Sequence, residues 1–313
     1  MAALAAEQTV FRVKPTSPFS RVGVLMGGTS AERGVSLRSG ASVAKGLTDA
    51  GYQVESLIID SAELVVPDGI EAVFIALHGA FGEDGQIQRM LEEQKIPYTG
   101  SGPEASRRAF DKMLSKEIFT RAGLPTPQYA IVKRGEACPL PFPVVTKPVR
   151  EGSSIGIHIV SDGDDWKASM EDTLRYGEAA LVERYIPGRE LTVGLVCDQV
   201  LPVIEIAPAE GYYNYDAKYQ RKDTRYIVPA DIPADAAARC RDLAAATFHA
   251  LGCCGLSRVD FRMTSDSDLY ILENNSIPGF TESSLLPKAA RAAGMEFPEL
   301  CDRIMRSAGL NKI

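Results

Sequence analysis

The sequence predicts a chain of three units: a parallel α/β layer first, then two mixed α+β units. Three observations carry that reading. Between Arg21 and Gly102, short apolar strand-like runs alternate with helical stretches. A second unit opens near Ala105 with a long helical stretch, then Pro125 and Pro127. A third begins near Gly188 and is rich in strand candidates.

Residues 1–20 read as a poorly ordered extension. Glu7, Arg12 and Lys14 interrupt them, so a basic start followed by a long apolar core, as in a signal peptide, is missing. The first unit spans 21–104. There 21-RVGVLMGG-28 reads as a short buried strand entering a glycine turn, and a helix follows that ends near Gly51. YQVESLIID and 71-EAVFIAL-77 supply two more strands, residues 86–96 a helix, and 98-YTGSG-102 a turn. The second unit spans 105–187. Residues 105–123 read as one helix, and 129–132 and 142–148 as strands. A Gly-Ser loop, a strand, a helix around Trp166–Tyr176 and a strand over 180–186 follow. In the third unit, 188–313, ELTVGLVCD, VLPVIEIAP, SRVDFRM and LYILENN read as strands, with one long helix over 233–252. There is no internal repeat.

Bulk properties narrow the function classes. A length of 313 residues and 45% hydrophobic composition allow large cores, and the length alone suggests about two domains. A net charge of −7 argues against a broad nucleic-acid surface, while leaving room for a local basic pocket. No run approaches the roughly 18 apolar residues of a membrane helix. None of the six cysteines forms a CxxC pair, so they read as reduced, packed thiols in a cytoplasmic protein, with no zinc site.

Two stretches carry chemistry. In 147-KPVREGSSIG-156, glycines let backbone approach a ligand, and N–H groups with serine hydroxyls suit phosphate oxygens. Such a loop is more often an ordinary turn, and it is neither a Walker A nor a GxGxxG motif. The second stretch is the hairpin of 258-RVDFRM-263 and 270-YILENN-275. If it is symmetric about Asp266-Ser267, Asp260 lies opposite Glu273 and Arg258 opposite Asn275, all on one face. Two carboxylates and an amide form a hard-oxygen set suited to Mg²⁺ on nucleotide phosphates. The alternative is a solvated hairpin face, against which the apolar flanks argue.

Seven motifs in order carry a resemblance to the D-alanine–D-alanine ligases: 27-GGTSAERGVSL-37, 76-ALHGAFGEDG-85, 97-PYTGSG-102, 147-KPVREGSSIG-156, 217-AKY-219, 258-RVD-260 and 273-ENNSIPGFTESSLLP-287. The similarity covers about residues 21–308. It implies a three-domain ATP-grasp fold with an N-terminal parallel α/β domain. It also implies an ATP-dependent carboxylate–amine ligase of peptidoglycan precursor synthesis. In that reaction a first D-alanine becomes an acyl phosphate and a second D-alanine attacks it, with D-alanine and ATP as substrates. Two Mg²⁺ ions, with Mn²⁺ as a possible substitute, and a cytoplasmic homodimer without nucleic-acid or membrane partners complete the expectation.

The resemblance also implies roles. Lys112, Lys147 and Lys218 would contact the nucleotide phosphates, with Ser153 and Ser154 in the loop over them. Glu183 and Glu190, flanking 184-RYIPGR-189, would contact adenine and ribose, alongside Arg184, Tyr185 and Ile186. Asp260, Glu273 and Asn275 would hold the metal. Glu32 would accept the first ammonium within a bonded set with Ser153 and Tyr219, although by position alone it reads as a helix N-terminal charge. His78 and Glu83 would line the same pocket; a lone histidine after a strand is more often structural. Arg258 and the Gly279 N–H would stabilise the tetrahedral oxyanion. Ser284 and Leu285 would receive the second carboxylate. The polar, tyrosine-rich stretch 209–226 reads as a lid.

The chain departs from the family pattern at three places. Gly34 stands where a second glutamate is usual, at about 1 kcal/mol of helix stability. Glu282-Ser283 replaces a Ser-His pair beside the second-substrate pocket, and Ser276 replaces threonine. Tyr219 argues for an amide product over a D-lactate ester. The alternatives are a related ligase using D-lactate or D-serine, a non-catalytic scaffold, and an amino-acid-binding protein without ATP.

Overall fold

The computed structural model describes residues 17–208 and 224–312. Strand β1 (Arg21–Gly27) lies between β2 (Gln53–Ile59) and β3 (Ala72–Ile75) in a parallel sheet. A central parallel strand is covered on both faces, which explains its unbroken apolar run. Val22, Val24 and Met26 pack with helix α1 (Arg33–Asp49), and Leu25 packs with α2 (Gln86–Glu93). Ser36 fixes α1 to the strand ends: its hydroxyl donates to the Ala76 carbonyl at 2.7 Å and accepts from the Gly27 N–H at 2.9 Å.

The second sheet is antiparallel, in the order β4-β7-β5-β6. It comprises β4 (Tyr129–Lys133), β5 (Val144–Pro148), β6 (His158–Val160) and β7 (Ala179–Arg184), backed by α5 (Trp166–Thr173). The third sheet has the order β11-β10-β8-β12-β13, with β9 (Gln199–Val200) folded onto β8. Its other strands are β8 (Arg189–Val196), β10 (Ile204–Ala207), β11 (Arg225–Ile227), β12 (Leu256–Met263) and β13 (Leu269–Asn275). Along β12, Val259, Phe261 and Met263 pack with α6 (Ala234–Leu251). The two-residue strand period leaves Arg258, Asp260 and Arg262 on the opposite face.

Several elements differ from expectation. The predicted helix over 105–123 is two helices, α3 (Pro103–Phe110) and α4 (Lys112–Arg121). Asp111 breaks it: the residue is extended, and its carboxylate caps α4 by accepting from the Leu114 N–H at 3.2 Å. Both helices pack on the third sheet's core through Ala109 and Phe119, not on the second sheet. VLPVIEIAP is two strands, β9 and β10, separated at Leu201–Val203. Two helices absent from the expectation close the chain, α7 (Leu285–Ala292) and α8 (Phe297–Arg306). They share one core with β1 and α1. Order begins before residue 21, since Phe19 packs on that core.

The β12–β13 hairpin pairs Arg258 with Asn275 and Asp260 with Glu273, but beyond Asp260 the register shifts, so that Phe261 faces Ile271. A bulge at Leu272 absorbs one residue and moves the turn off the assumed centre.

Candidate active site

The loop at 149–156 is anchored by the start of α4. The Lys112 N–H donates to the Val149 carbonyl at 3.0 Å, and its ammonium donates to the Glu151 carbonyl at 2.6 Å. Arg150 donates to Asp111 at 2.8 Å. One side chain, Asp111, therefore caps the helix and holds the loop. Ser153 and Ser154 both have positive φ, 51° and 59°, a region that costs a non-glycine residue about 1 kcal/mol or more. Gly152 leaves room for the Glu32 carboxylate: a Cβ there would lie 2.7 Å from it and push that side chain aside.

Glu32 sits at the N-cap of α1 but makes no cap bond to its own helix. Its carboxylate crosses to accept from the Ser153 hydroxyl. The bland reading, a helix N-terminal charge, does not describe it. Glu32, His78, Glu83, Ser153, Arg258 and Gly279 share a cavity of about 370 Å³. Ser284 and Leu285 line it as well. Ser284 is the N-cap of α7, yet its hydroxyl accepts from the Thr281 N–H at 3.0 Å and makes no cap bond. Among the described residues the opening N–H groups of α7 thus keep no side-chain acceptor, and such a helix terminus favours an anion. Ser283 also lines this cavity, and Lys288 donates to its carbonyl.

A second cavity lies behind the first. Lys147, Ser154, Glu190, Asp260 and Glu273 supply its polar wall, and Val145, Ile159, Ile186 and Leu272 are among its apolar residues. The neighbours Ser153 and Ser154 divide between the two cavities, as do Arg258 and Asp260. The arrangement sets a narrow apolar slot with cations beside a polar pocket, with shared walls.

Charge in the second cavity is organised by a buried triad. Glu183 on β7 is ion-paired with Lys147 and, at 2.5 Å, with Lys116. Lys116 is fully buried and also donates to Thr126 at 2.5 Å and to the Ile271 carbonyl at 3.2 Å. Burial pushes Lys116 down to about 8 despite Glu183. For Lys147, burial acts in the same direction, but Glu183, Glu273 and Glu190 outweigh it and hold the ammonium above its usual range. Glu183 therefore sits beneath the slot with its carboxylate engaged. Lys112 lies 3.6 Å from Glu273, which joins the two cationic positions to the hairpin. On the other side, Arg262 donates to the Ile186 and Gly188 carbonyls at 3.0 and 2.7 Å, shaping the 184–188 strap. Its guanidinium is 3.6 Å from Glu190.

Asp260 accepts from Arg258 at 2.9 and 2.8 Å, from Thr192 at 2.6 Å and from the Asn275 amide at 3.0 Å. Lys218 and Tyr219 lie outside the described residues, as does most of the predicted lid. Every other predicted residue falls on one of the two cavities or their shared wall, or, like Lys112, directly behind it. Three contributors were not anticipated: Lys116, Thr192 and Ser39, the partner of His78. Lys116 stands four residues after Lys112 on one helix, a spacing that puts both on one face and could have flagged it.

Glu83 accepts from the Gly79 N–H at 2.8 Å. Burial and the nearby Glu32 charge raise its pKa from 4.5 to about 8, against the Gly79 and Ile277 N–H groups. A carboxyl with a raised folded pKa adds stability that is full below its unfolded pKa and is lost as pH climbs through the folded one. Stability should therefore fall between about pH 4.5 and 8 through this group. Glu83→Gln should flatten that segment of a melting-temperature profile. An unaltered slope would show that Glu83 is not the titrating group.

Comparison with known proteins agrees along the chain. The family description "D-ala D-ala ligase C-terminus" matches residues 118–306, and "D-ala D-ala ligase N-terminus" matches 61–101. A D-alanine--D-alanine ligase of Syntrophotalea carbinolica is 47% identical over 297 residues, covering 93% of this chain and 97% of its own. One from Acidiphilium cryptum is 48% identical, covering 92% and 98%. Among solved structures, the Bacillus anthracis D-alanine--D-alanine ligase complexed with ATP has a TM-score of 0.81 at 31% identity, covering 92% of this chain and 97% of its own. The VanG D-Ala:D-Ser ligase of Enterococcus faecalis has 0.80 at 27%, covering 91% and 98%.

Proposed function

The chain belongs to the D-alanine–D-alanine ligase family, and from that premise we propose that it uses ATP to join two D-alanines into D-alanyl-D-alanine. The observation that carries the reading is the pair of abutting cavities. One is a cationic slot with apolar walls; the other is a polar pocket lined by both Glu32 and the N-terminus of α7.

The chemistry follows from that layout. The nucleotide lies in the slot between the 184–188 strap and Leu272, with its phosphates toward Lys112, Lys147 and Ser154. Glu32, held by Ser153, receives the ammonium of the first D-alanine and turns its carboxylate toward the slot. An oxygen of that carboxylate attacks the γ-phosphorus, the bond to ADP breaks, and an acyl phosphate results. The amine of the second D-alanine then attacks the acyl carbon. Arg258 and the Gly279 N–H face the oxyanion of the tetrahedral intermediate, which expels phosphate and leaves the amide. The opening N–H of α7, at Leu285, with the Ser284 hydroxyl beside it in the cavity, takes the second carboxylate. Lys218 and Tyr219 complete the phosphate and ammonium contacts by family resemblance.

A divalent ion fits the donor set. Asp260, Glu273 and Asn275 occupy one face of adjoining strands and offer oxygen ligands. Among the described residues no group of three His, Cys, Asp or Glu could hold a metal alone. The set is therefore suited to an ion that shares phosphate oxygens. Bound there, Mg²⁺ or Mn²⁺ would neutralise the phosphates. A cytoplasmic homodimer remains part of the proposal by family resemblance alone; all six cysteines are free thiols, and none of the described helices is long and apolar enough to cross a membrane.

The test is phosphate release with product identification, using ATP, Mg²⁺ and D-alanine, D-serine or D-lactate in turn. D-alanine should stimulate release and yield the dipeptide as main product. Release that ignores D-alanine, or ester formed from D-lactate faster than dipeptide at neutral pH, would overturn the reading.

A further inference from the structure

We propose that Ser39 is a positioning residue for the oxyanion N–H of Gly279, acting directly on the loop and through His78; the proposal rests on the ligase reading above. Ser39 lies on the buried side of α1 and has no solvent exposure. Its hydroxyl oxygen is 3.1 Å from His78 Nε2 and accepts from the Phe280 N–H at 3.2 Å. The other ring nitrogen, Nδ1, is 3.1 Å from the Ile277 carbonyl.

With the ring neutral, these contacts permit one polarity. A carbonyl can only accept, so Nδ1 carries the proton and donates to Ile277. Nε2 must then accept, and the Ser39 hydroxyl supplies the hydrogen. The serine keeps lone pairs for the Phe280 N–H. The network begins and ends on the same loop, holding it at Ile277 and again at Phe280. Only Pro278 and Gly279 lie between the two anchors. Proline has no N–H and a fixed φ. The one backbone donor inside the bracket is therefore Gly279, which lines the cavity and has no acceptor among the described residues. A glycine alone would leave that donor conformationally loose. Ser36, three residues before Ser39, ties α1 to β1 and to Ala76 just beyond β3, so the clamp stands on a fixed base. Burial holds His78 below its usual pKa against the Glu32 charge, which keeps the ring in the neutral form the network needs. His78 is thus occupied with aiming the loop, not with touching substrate.

The experiment compares the parent enzyme with Ser39→Ala and Ser39→Cys. The alanine variant should lose about 100-fold in kcat, the scale of effect seen when a reacting group is misplaced by an ångström. Its KM for ATP should stay at the parent value, because the nucleotide slot lies beyond Arg258 and Asp260. Cysteine, a weak donor and acceptor of similar shape, should recover part of the loss. An unchanged kcat would overturn the proposal. So would a loss shared equally by KM for ATP and melting temperature, which would make Ser39 merely structural. Amide hydrogen exchange on the parent needs no variant to fold: the Phe280 N–H should be protected, and exchange at the rate of an open chain would overturn the clamp. Failure of the parent to make dipeptide would sink the ligase reading instead, leaving the exchange measurement to judge the clamp.

Discussion

Lys147→Ala should reduce kcat by about 10³-fold, roughly 4 kcal/mol of transition-state stabilisation, while the protein stays folded. The ammonium is buried at the slot, and neighbouring carboxylates hold it protonated. It can therefore meet phosphate charge in a site where water screens poorly. Its removal leaves Glu183 paired with Lys116 at 2.5 Å, so no carboxylate is orphaned and the fold should survive. Steady-state phosphate release at saturating D-alanine and ATP reads the effect. Turnover close to the parent's would remove Lys147 from the phosphate site.

Glu183→Gln should do the reverse, harming the fold more than the chemistry. The glutamate lies between two buried ammonium groups, those of Lys116 and Lys147. Neutralising it leaves both without their shared counter-charge, which typically costs about 3–5 kcal/mol. The melting temperature should drop markedly, and the drop should ease at alkaline pH. The sign follows from Lys116, which burial holds at about 8, below its ordinary 10.5. A lysine with a depressed folded pKa destabilises the fold below that value, and the penalty fades as pH rises toward the unfolded pKa. The double variant Lys116→Met with Glu183→Leu should regain much of the loss, since apolar groups of similar volume often replace buried ion pairs without penalty. A Glu183→Gln melting temperature equal to the parent's would mean that the triad is not a stabilising unit.

Much of this arrangement was legible in the sequence wherever local pattern and chemistry coincide. The β1–turn–α1 start and the Asp260/Glu273 pairing follow from periodicity and hairpin register. What was hidden depends on contacts between distant segments. The break at Asp111 was masked because DKMLSK continues a helical pattern, and only the extended backbone at Asp111 shows it capping α4. Helices α7 and α8 are short, each with a proline in its opening turns, and packing supports them more than propensity does, α8 on α1 and α7 on β8 and α8. Lys116 and Ser39 looked like ordinary helix residues. Their roles arise from partners 67 and 241 positions away, Glu183 and Phe280, which no spacing rule reaches. The motifs thus located the loops that line the two cavities, while the buried residues bonded to them came from the tertiary structure.

The core that β1 and α1 share with α7 and α8 has a consequence for biosynthesis. A nascent chain emerging from the ribosome presents its parallel strands well before α7 and α8, with one flank of that layer still uncovered. Residues 285–306 leave the exit tunnel long after β1 and α1, so the earlier segment completes its packing only once they have emerged. The middle sheet, whose core among the described residues draws only on positions 130 to 182, can close earlier.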